Sequence, residues 1–211
     1  MIYVVSDTHF GHQRILEFDS ESRPFKTVEE MDEQLISNWN EVVKDEDDIV
    51  YMLGDMFMGS TDNIDKIMPR LNGRKVLVRG NHDTNKRVEL MEKYVEGVYS
   101  IYNLKVGKQI YVLCHYPMRE WFGKDYGTIH IYGHVHSNEH RNGILAEPNS
   151  FHAGVDTNNL RPVALSDIRD KFVRCAHPNI KRKGNENGVY CVNCGKVVRK
   201  YVVNNVATWL V

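Results

Sequence analysis

The sequence predicts an α/β fold, two packed sheets covered by helices, on three observations. Short apolar runs at 2–5, 49–53, 75–79, 110–114 and 129–132 have the composition of buried strands, and each ends in a polar loop. Between the first two runs, Val28, Met31, Leu35, Trp39 and Val42 recur at helical spacing. Further on, 99–106 and 109–114 are rich in branched and aromatic residues and flank Gly107-Lys108, a hairpin signal.

Taken in order, residues 1–10 read as a first strand and its loop. The next loop, 10–26, carries Gly11, His12, Arg14, Arg23 and Pro24. Thr27-Val28-Glu29-Glu30 has the form of a capping box, so the amphipathic helix starts there and runs to Val43. The acidic turn Asp45 to Asp48 precedes a second strand at 48–53. Thr61 to Met68 is a short helix stopped by Pro69. Leu71-Asn72-Gly73-Arg74 turns the chain into a third strand at 75–79, and 86–95 has helical composition. After the hairpin, a loop with Trp121, Gly123 and Gly127 leads to the strand at 129–132. A further strand is expected near 151–155 and a helix near 165–171.

A chain of 211 residues suffices for one core and a small appendage. The 42% hydrophobic and 26% charged fractions are those of an ordinary globular protein and exclude extensive disorder. No apolar run approaches a membrane span, and the N-terminus lacks the basic start and apolar core of a secretory signal; the expectation is a cytoplasmic protein with no membrane partner. The four Cys are then thiols or metal ligands rather than disulfides. Charge is uneven. From Arg169 onward nine Lys or Arg stand against two acids, while the preceding residues hold 18 basic and 26 acidic side chains. An acidic body with a basic tail suggests two modules, 1–168 and 169–211.

The chemistry sits where the apolar runs end. Ile2-Tyr3-Val4-Val5 runs into Ser6-Asp7-Thr8-His9, and the second run into Gly54-Asp55. The third ends in Gly80-Asn81-His82-Asp83, the fourth in His115, and the fifth in Gly133-His134-Val135-His136. Strand tips on one sheet edge are where α/β proteins build sites. Asp7, His9, Asp55, Asn81, His115, His134 and His136 are thereby candidate metal ligands. Carboxylate, amide and imidazole together suit first-row divalent ions such as Mn, Fe, Ni, Co or Zn. Asp-x-His and His-x-His each put two side chains on one side of an extended segment. Seven ligands are too many for one zinc and suit a pair of ions, with Asp55 the best candidate for a shared carboxylate. Such a pair, roughly 3.5–4 Å apart, can share a hydroxide and clamp an in-line phosphoryl displacement. Each motif alone is commonplace; five in order after apolar runs are not.

This set resembles the calcineurin-like metallophosphoesterase family over residues 1–168. Ser6-Asp7-Thr8-His9-Phe10-Gly11-His12, Leu71-Asn72-Gly73, Cys114-His115-Tyr116-Pro117 and Gly154-Val155-Asp156 are similar to a small stand-alone subgroup. The resemblance implies a four-layer α/β/β/α sandwich, the metallo-dependent phosphatase fold. It implies one ion on Asp7, His9, Asp55 and His136, and a second on Asp55, Asn81, His115 and His134. His82 would face the phosphate, protonating the leaving group or stabilising charge, with Asp83 either orienting it or capping the next helix. His12 and Arg14 would touch the substrate phosphate or be surface charges, and Arg23 and Arg119 are weaker candidates of the same kind. Trp121 and Tyr126 would form a stacking wall or join the core. Met56-Phe57-Met58 offers no polar side chain after Asp55 and is expected to pack under the next helix.

The basic tail contains Cys175-Ala176-His177 and Cys191-Val192-Asn193-Cys194-Gly195, four soft ligands in two pairs that resemble a zinc ribbon and suit one structural zinc on Cys175, His177, Cys191 and Cys194. Lys181-Arg182-Lys183-Gly184 reads as a hairpin tip, and a strand-like stretch follows from Lys196 to Val203. The alternative is a buried Cys175 and a separate redox pair. The basic excess would contact nucleic-acid phosphates, keep the module soluble or dock it on the acidic body. The resulting expectation is a binuclear metal-dependent phosphoric ester hydrolase, a phosphodiesterase of nucleotides or nucleic acid. The alternatives are a phosphomonoesterase of a small phosphorylated metabolite and a catalytically silent, metal-stabilised binding protein.

Overall fold

Alternation along the first strand separates two cores. In β1 (Ile2–Val5), Tyr3 and Val5 join the cluster under the helices, while Val4 points to the other face and joins the cluster that holds Tyr111, Leu113 and Ile131. The structure, a computed structural model, describes residues 1–137 and 147–172, together with the backbone of Val173 and of 180–182, 188–191, 197–203 and 206–209.

After α1 (Ile15–Phe18), the long helix α2 (Val28–Val42) begins at Thr27, whose hydroxyl accepts from Glu30 N. The return contact of the box is shifted by one residue, since the Glu30 carboxylate accepts from Lys26 N rather than Thr27 N. Met31, Leu35 and Trp39 bury one face of α2, as their spacing requires. The Trp39 indole donates to Asn72 O and the Asn72 amide to Val43 O, which fixes the Leu71-Asn72-Gly73 turn against the helix.

Next come β2 (Ile49–Met52), α3 (Asp62–Ile67), β3 (Arg74–Val78), α4 (Asn85–Met91) and β4 (Val98–Tyr99). The hairpin β5 (Ile101–Val106) and β6 (Gln109–Cys114) starts a second sheet, continued by β7 (Ile129–Tyr132) and β8 (Ser150–His152). Finally β9 (Val163–Ala164) returns to the first sheet and leads into α5 (Leu165–Val173). The first sheet has order β4-β3-β2-β1-β9, parallel except for β9; the second has order β5-β6-β7-β8, with β6, β7 and β8 parallel.

The sheets pack face to face through Val4, Tyr51, Leu53, Val76 and Val78 on one side and Leu104, Tyr111, Leu113, Ile129 and Ile131 on the other. Helices cover the outer face of the first sheet. The outward His130 of β7 is covered by Trp121, 5.2 Å away, so Trp121 belongs to the packing, whereas Tyr126 is 92% exposed. Met56 and Phe57 are buried under the helices, as their apolar character requires. The four-residue α1 and the two-residue β4 and β9 are not announced by the sequence pattern, being too short to show a period.

Helix α5 crosses residue 168, with Leu165 and Ile168 in the inter-sheet core and Phe172 packed against it. Beyond it, β10 (Ile180–Arg182), β11 (Gly188–Cys191), β12 (Val197–Val203) and β13 (Val206–Trp209) form an antiparallel sheet in that order. Of the expected zinc ligands, Cys175, His177 and Cys194 lie outside the described residues, and Cys191 ends β11. Among the described residues, no helix is long and apolar enough to cross a membrane.

Candidate metal centre

The C-terminal ends of β1, β2, β3, β6 and β7 meet at one edge, and the loops they feed bring all seven candidate ligands together. Asp7, His9 and His136 form one group and Asp55, His115 and His134 another, each able to hold a cation. Asp7, His9, Asp55, His134 and His136 all have positive φ, between 50° and 73°. Left-handed backbone at five non-glycine residues is costly and persists only where surrounding structure imposes it.

Two glycines permit the approach. A Cβ on Gly80 would lie 2.3 Å from Asp55 Oδ1, and one on Gly133 would lie 1.9 Å from Ser6 Oγ and 2.4 Å from Asp7 Oδ2. Here glycine is required for space occupied by a carboxylate rather than for a turn.

Asp55 lies at the junction of the two groups. Its Oδ2 is 3.4 Å from His115 Nε2 and 3.9 Å from both His9 Nε2 and His82 Nε2, while Oδ1 accepts from His82 N at 2.8 Å. Asp7 Oδ2 accepts from His134 N, and its buried Oδ1 has no hydrogen-bond partner, lying 3.9 Å from His9 Nε2 and 4.0 Å from His136 Nε2. His115 Nδ1 faces Leu53 O at 2.7 Å and must carry the hydrogen there, so Nε2 is the nitrogen that faces Asp55 Oδ2 and Asn81 Oδ1. His136 Nδ1 likewise donates to Asp156 Oδ2 at 2.6 Å, leaving Nε2 toward Asp7. Fixing Nδ1–H by an acceptor behind the ring is how proteins present imidazole to a metal.

Electrostatics agree. Burial raises the Asp7 carboxyl above its usual range. Burial, reinforced by His136 and Arg23, holds His9 well below its usual range, so it is neutral, and both its ring nitrogens are buried without hydrogen-bond partners. Burial pushes His115 and His136 down, but Asp55 and Asp7 for the first, and Asp156 and Asp7 for the second, push them up further. Orphaned buried acceptors among carboxylates and imidazoles fit divalent cations.

Arg23 corrects its sequence reading as a substrate contact or surface charge. It is 0% exposed and donates from Nη2 to Asp7 O at 2.6 Å, from Nη1 to Thr8 O at 2.8 Å and from Nε to Asp156 Oδ1 at 2.6 Å. One guanidinium thus ties the backbone of left-handed Asp7 and of Thr8 to the carboxylate that orients His136. Sequence reasoning gave Arg23 the wrong role and Asp156 none. A lone Arg in a loop carries no motif, and Gly154-Val155-Asp156 showed only a family likeness.

Asp83 is also corrected. It neither reaches the His82 ring nor caps α4, a role taken by Thr84. Its buried Oδ2 accepts from Asp55 N at 3.0 Å and Gly80 N at 2.8 Å, so it locks the second and third loops together. The His82 side chain is 44% exposed.

A cleft of about 570 Å³ opens over the centre, lined by His9, His82, His134 and His136 and flanked by Ile15, Phe18, Met58 and Val135. His12 lines it, with burial holding its imidazole below the usual range. Arg14 does not line the cleft; its guanidinium lies 4.8 Å over Phe18. Tyr126, Trp121 and Arg119 are not among the residues lining it.

Comparison with known proteins agrees with this geometry. The model of the calcineurin-like phosphoesterase family matches residues 1–151. The chain is 36% identical over 171 residues to the uncharacterized protein MJ1445 of Methanocaldococcus jannaschii, covering 79% of this chain and 88% of that one. It is 31% identical over 163 residues to the Gene 66 protein of Mycobacterium phage L5, covering 64% and 77%. Among solved structures, the protein of unknown function AQ665 from Aquifex aeolicus superposes with a TM-score of 0.66 at 27% identity, over 81% of this chain and 98% of that one.

Proposed function

Since this chain belongs to the calcineurin-like phosphoesterase family and is a metal-dependent phosphoester hydrolase, we propose that it is a binuclear phosphodiesterase acting on nucleotides or nucleic acid. The observation that carries this reading is Asp55 Oδ2, placed between His9 on one side and His115 on the other. One divalent ion would be held by Asp7, His9, Asp55 and His136, the other by Asp55, Asn81, His115 and His134. Bound there, such ions supply Lewis acidity for phosphoryl oxygens and lower the pKa of water from about 15.7 toward 7.

The chain's own residues do the rest. Arg23, Asp156 and Asp83 hold the ligand loops in their strained conformations. In hydrolysis a water oxygen bonds to phosphorus, the ester P–O bond breaks, and the departing oxygen needs a proton. His82 Nε2, open to the cleft, gives that proton and is recharged by the proton the water releases. His12 contacts the substrate beside it.

We place the hydrolase body in residues 1–168, its last helix continuing to Val173, and a basic module in 169–211. The spacing of Cys175, His177, Cys191 and Cys194 supports one structural zinc, and the +7 charge of that module supports contact with nucleic-acid phosphates. Cys191→Ser should lower zinc by about one per chain.

The test is manganese-dependent hydrolysis of bis-p-nitrophenyl phosphate against p-nitrophenyl phosphate. Faster turnover of the diester supports the reading. Faster turnover of the monoester makes the protein a phosphomonoesterase, and turnover of neither with metals bound makes it a silent binding protein.

A further inference from the structure

We propose that the apolar flank of the metal cleft is a stacking subsite for a nucleobase, which makes the substrate a nucleoside phosphodiester with Phe18 as its main specificity residue. This rests on the phosphodiesterase reading and names its substrate class.

Phe18, at the end of α1, is 65% exposed, although most large apolar side chains of this body are buried. It lines the same cleft as His9, His82, His134 and His136, beside Ile15, Met58 and Val135. An exposed ring beside a catalytic cleft, backed by buried apolar side chains, offers a flat face to a flat ligand. The Arg14 guanidinium, 4.8 Å from the ring centroid, packs on the ring from the N-cap of α1 and does not line the cleft.

The apolar side of the lining favours a base over other ester groups. The apolar part of the lining, Ile15, Phe18, Met58 and Val135, offers no side-chain hydrogen-bond partner, so it suits a flat ring better than the hydroxyls of a sugar, which would have to reach His12, Asp19 or Ser137. A second phosphate beyond the scissile one would meet the Asp19 carboxylate, which lines the cleft and accepts from Ser137 Oγ. A neutral, flat ring bearing N–H donors suits both the wall and that acceptor. A cleft of about 570 Å³ is of the size that takes a nucleotide.

The experiment uses the full manganese-loaded chain and two esters with one leaving group, thymidine 5′-(p-nitrophenyl phosphate) and methyl p-nitrophenyl phosphate. Both release p-nitrophenolate, so their difference reports the group kept on phosphorus. The thymidine ester should have the higher kcat/KM by about tenfold or more, the size of one base–aromatic stack. Phe18→Ala should bring that ratio near one, chiefly through KM, and Phe18→Tyr, which keeps the ring, should preserve it. A ratio near one in the wild type, or one unchanged by Phe18→Ala, overturns the subsite. If neither ester turns over with metal bound, the hydrolytic reading falls and binding decides the subsite. Thymidine 5′-monophosphate must then bind about tenfold tighter than methyl phosphate to the wild type but not to Phe18→Ala, and equal affinities overturn it.

Discussion

Replacing Arg23 with Lys tests whether one buried guanidinium holds the metal loops. Arg23 satisfies Asp7 O, Thr8 O and Asp156 Oδ1 from three different nitrogens. An ammonium keeps the charge but is a single point and cannot span the three acceptors. At least two buried acceptors are then left unpaired, at about 1–3 kcal/mol each, for a loss of about 2–6 kcal/mol. In a domain of this size, at about 2–4 °C per kcal/mol, that corresponds to about 4–24 °C in melting temperature. The loss falls on Asp7, His9 and His136, because the Asp7-Thr8 backbone and the Asp156 carboxylate are what Arg23 grips. Thermal melts with and without manganese, together with metal counted per chain after dialysis, read both effects. Metal should be lost first from the Asp7, His9 and His136 group. A variant that melts within about 2 °C of the wild type and keeps its full metal content would refute the reasoning.

Asp55→Asn should lower the content of both ions and abolish hydrolysis, because its Oδ2 faces both groups; loss of a single ion would show that it is not shared. His82→Ala should leave metal content intact while slowing turnover by about 10²–10⁴-fold, measured under saturating metal; loss of metal would make His82 a ligand. Burial pushes the Asp32 carboxyl up to about 6 while it accepts the Gly11 N–H. Its folded pKa lies above its usual value, so ionisation opposes folding above about pH 6, and that penalty disappears as pH falls through 6 toward the ordinary carboxylate range. Asp32→Asn keeps an acceptor for Gly11 and should raise the melting temperature at about pH 8 but not at about pH 4. Equal gains at both would reject the buried-charge account.

The strands and the long helix were legible because each carries its period within a few residues. Thr27 and Glu30 announced the start of α2, and Gly107-Lys108 announced the hairpin. Asp83 and Arg23 were misread for a common reason. A loop side chain's partners are set by which other loop lies against it, and local spacing has no access to that. Asp83 looked like a partner for its neighbour His82, yet it bonds the backbone of Asp55, 28 residues away.

The sequence by itself determined the chemistry on offer. Carboxylate, amide and imidazole stand at the ends of apolar runs, because strand and ligand are adjacent in the chain. Only the tertiary structure decided how they are used. Asp7 and His134 are 127 residues apart, and Arg23 and Asp156 are 133 apart, so sheet order and loop packing bring them together. The left-handed backbone of five candidate ligands and the carboxylate filling the space of a missing Cβ at Gly80 follow from that packing. Such conformations are unfavourable for any residue taken alone and exist only when distant segments impose them.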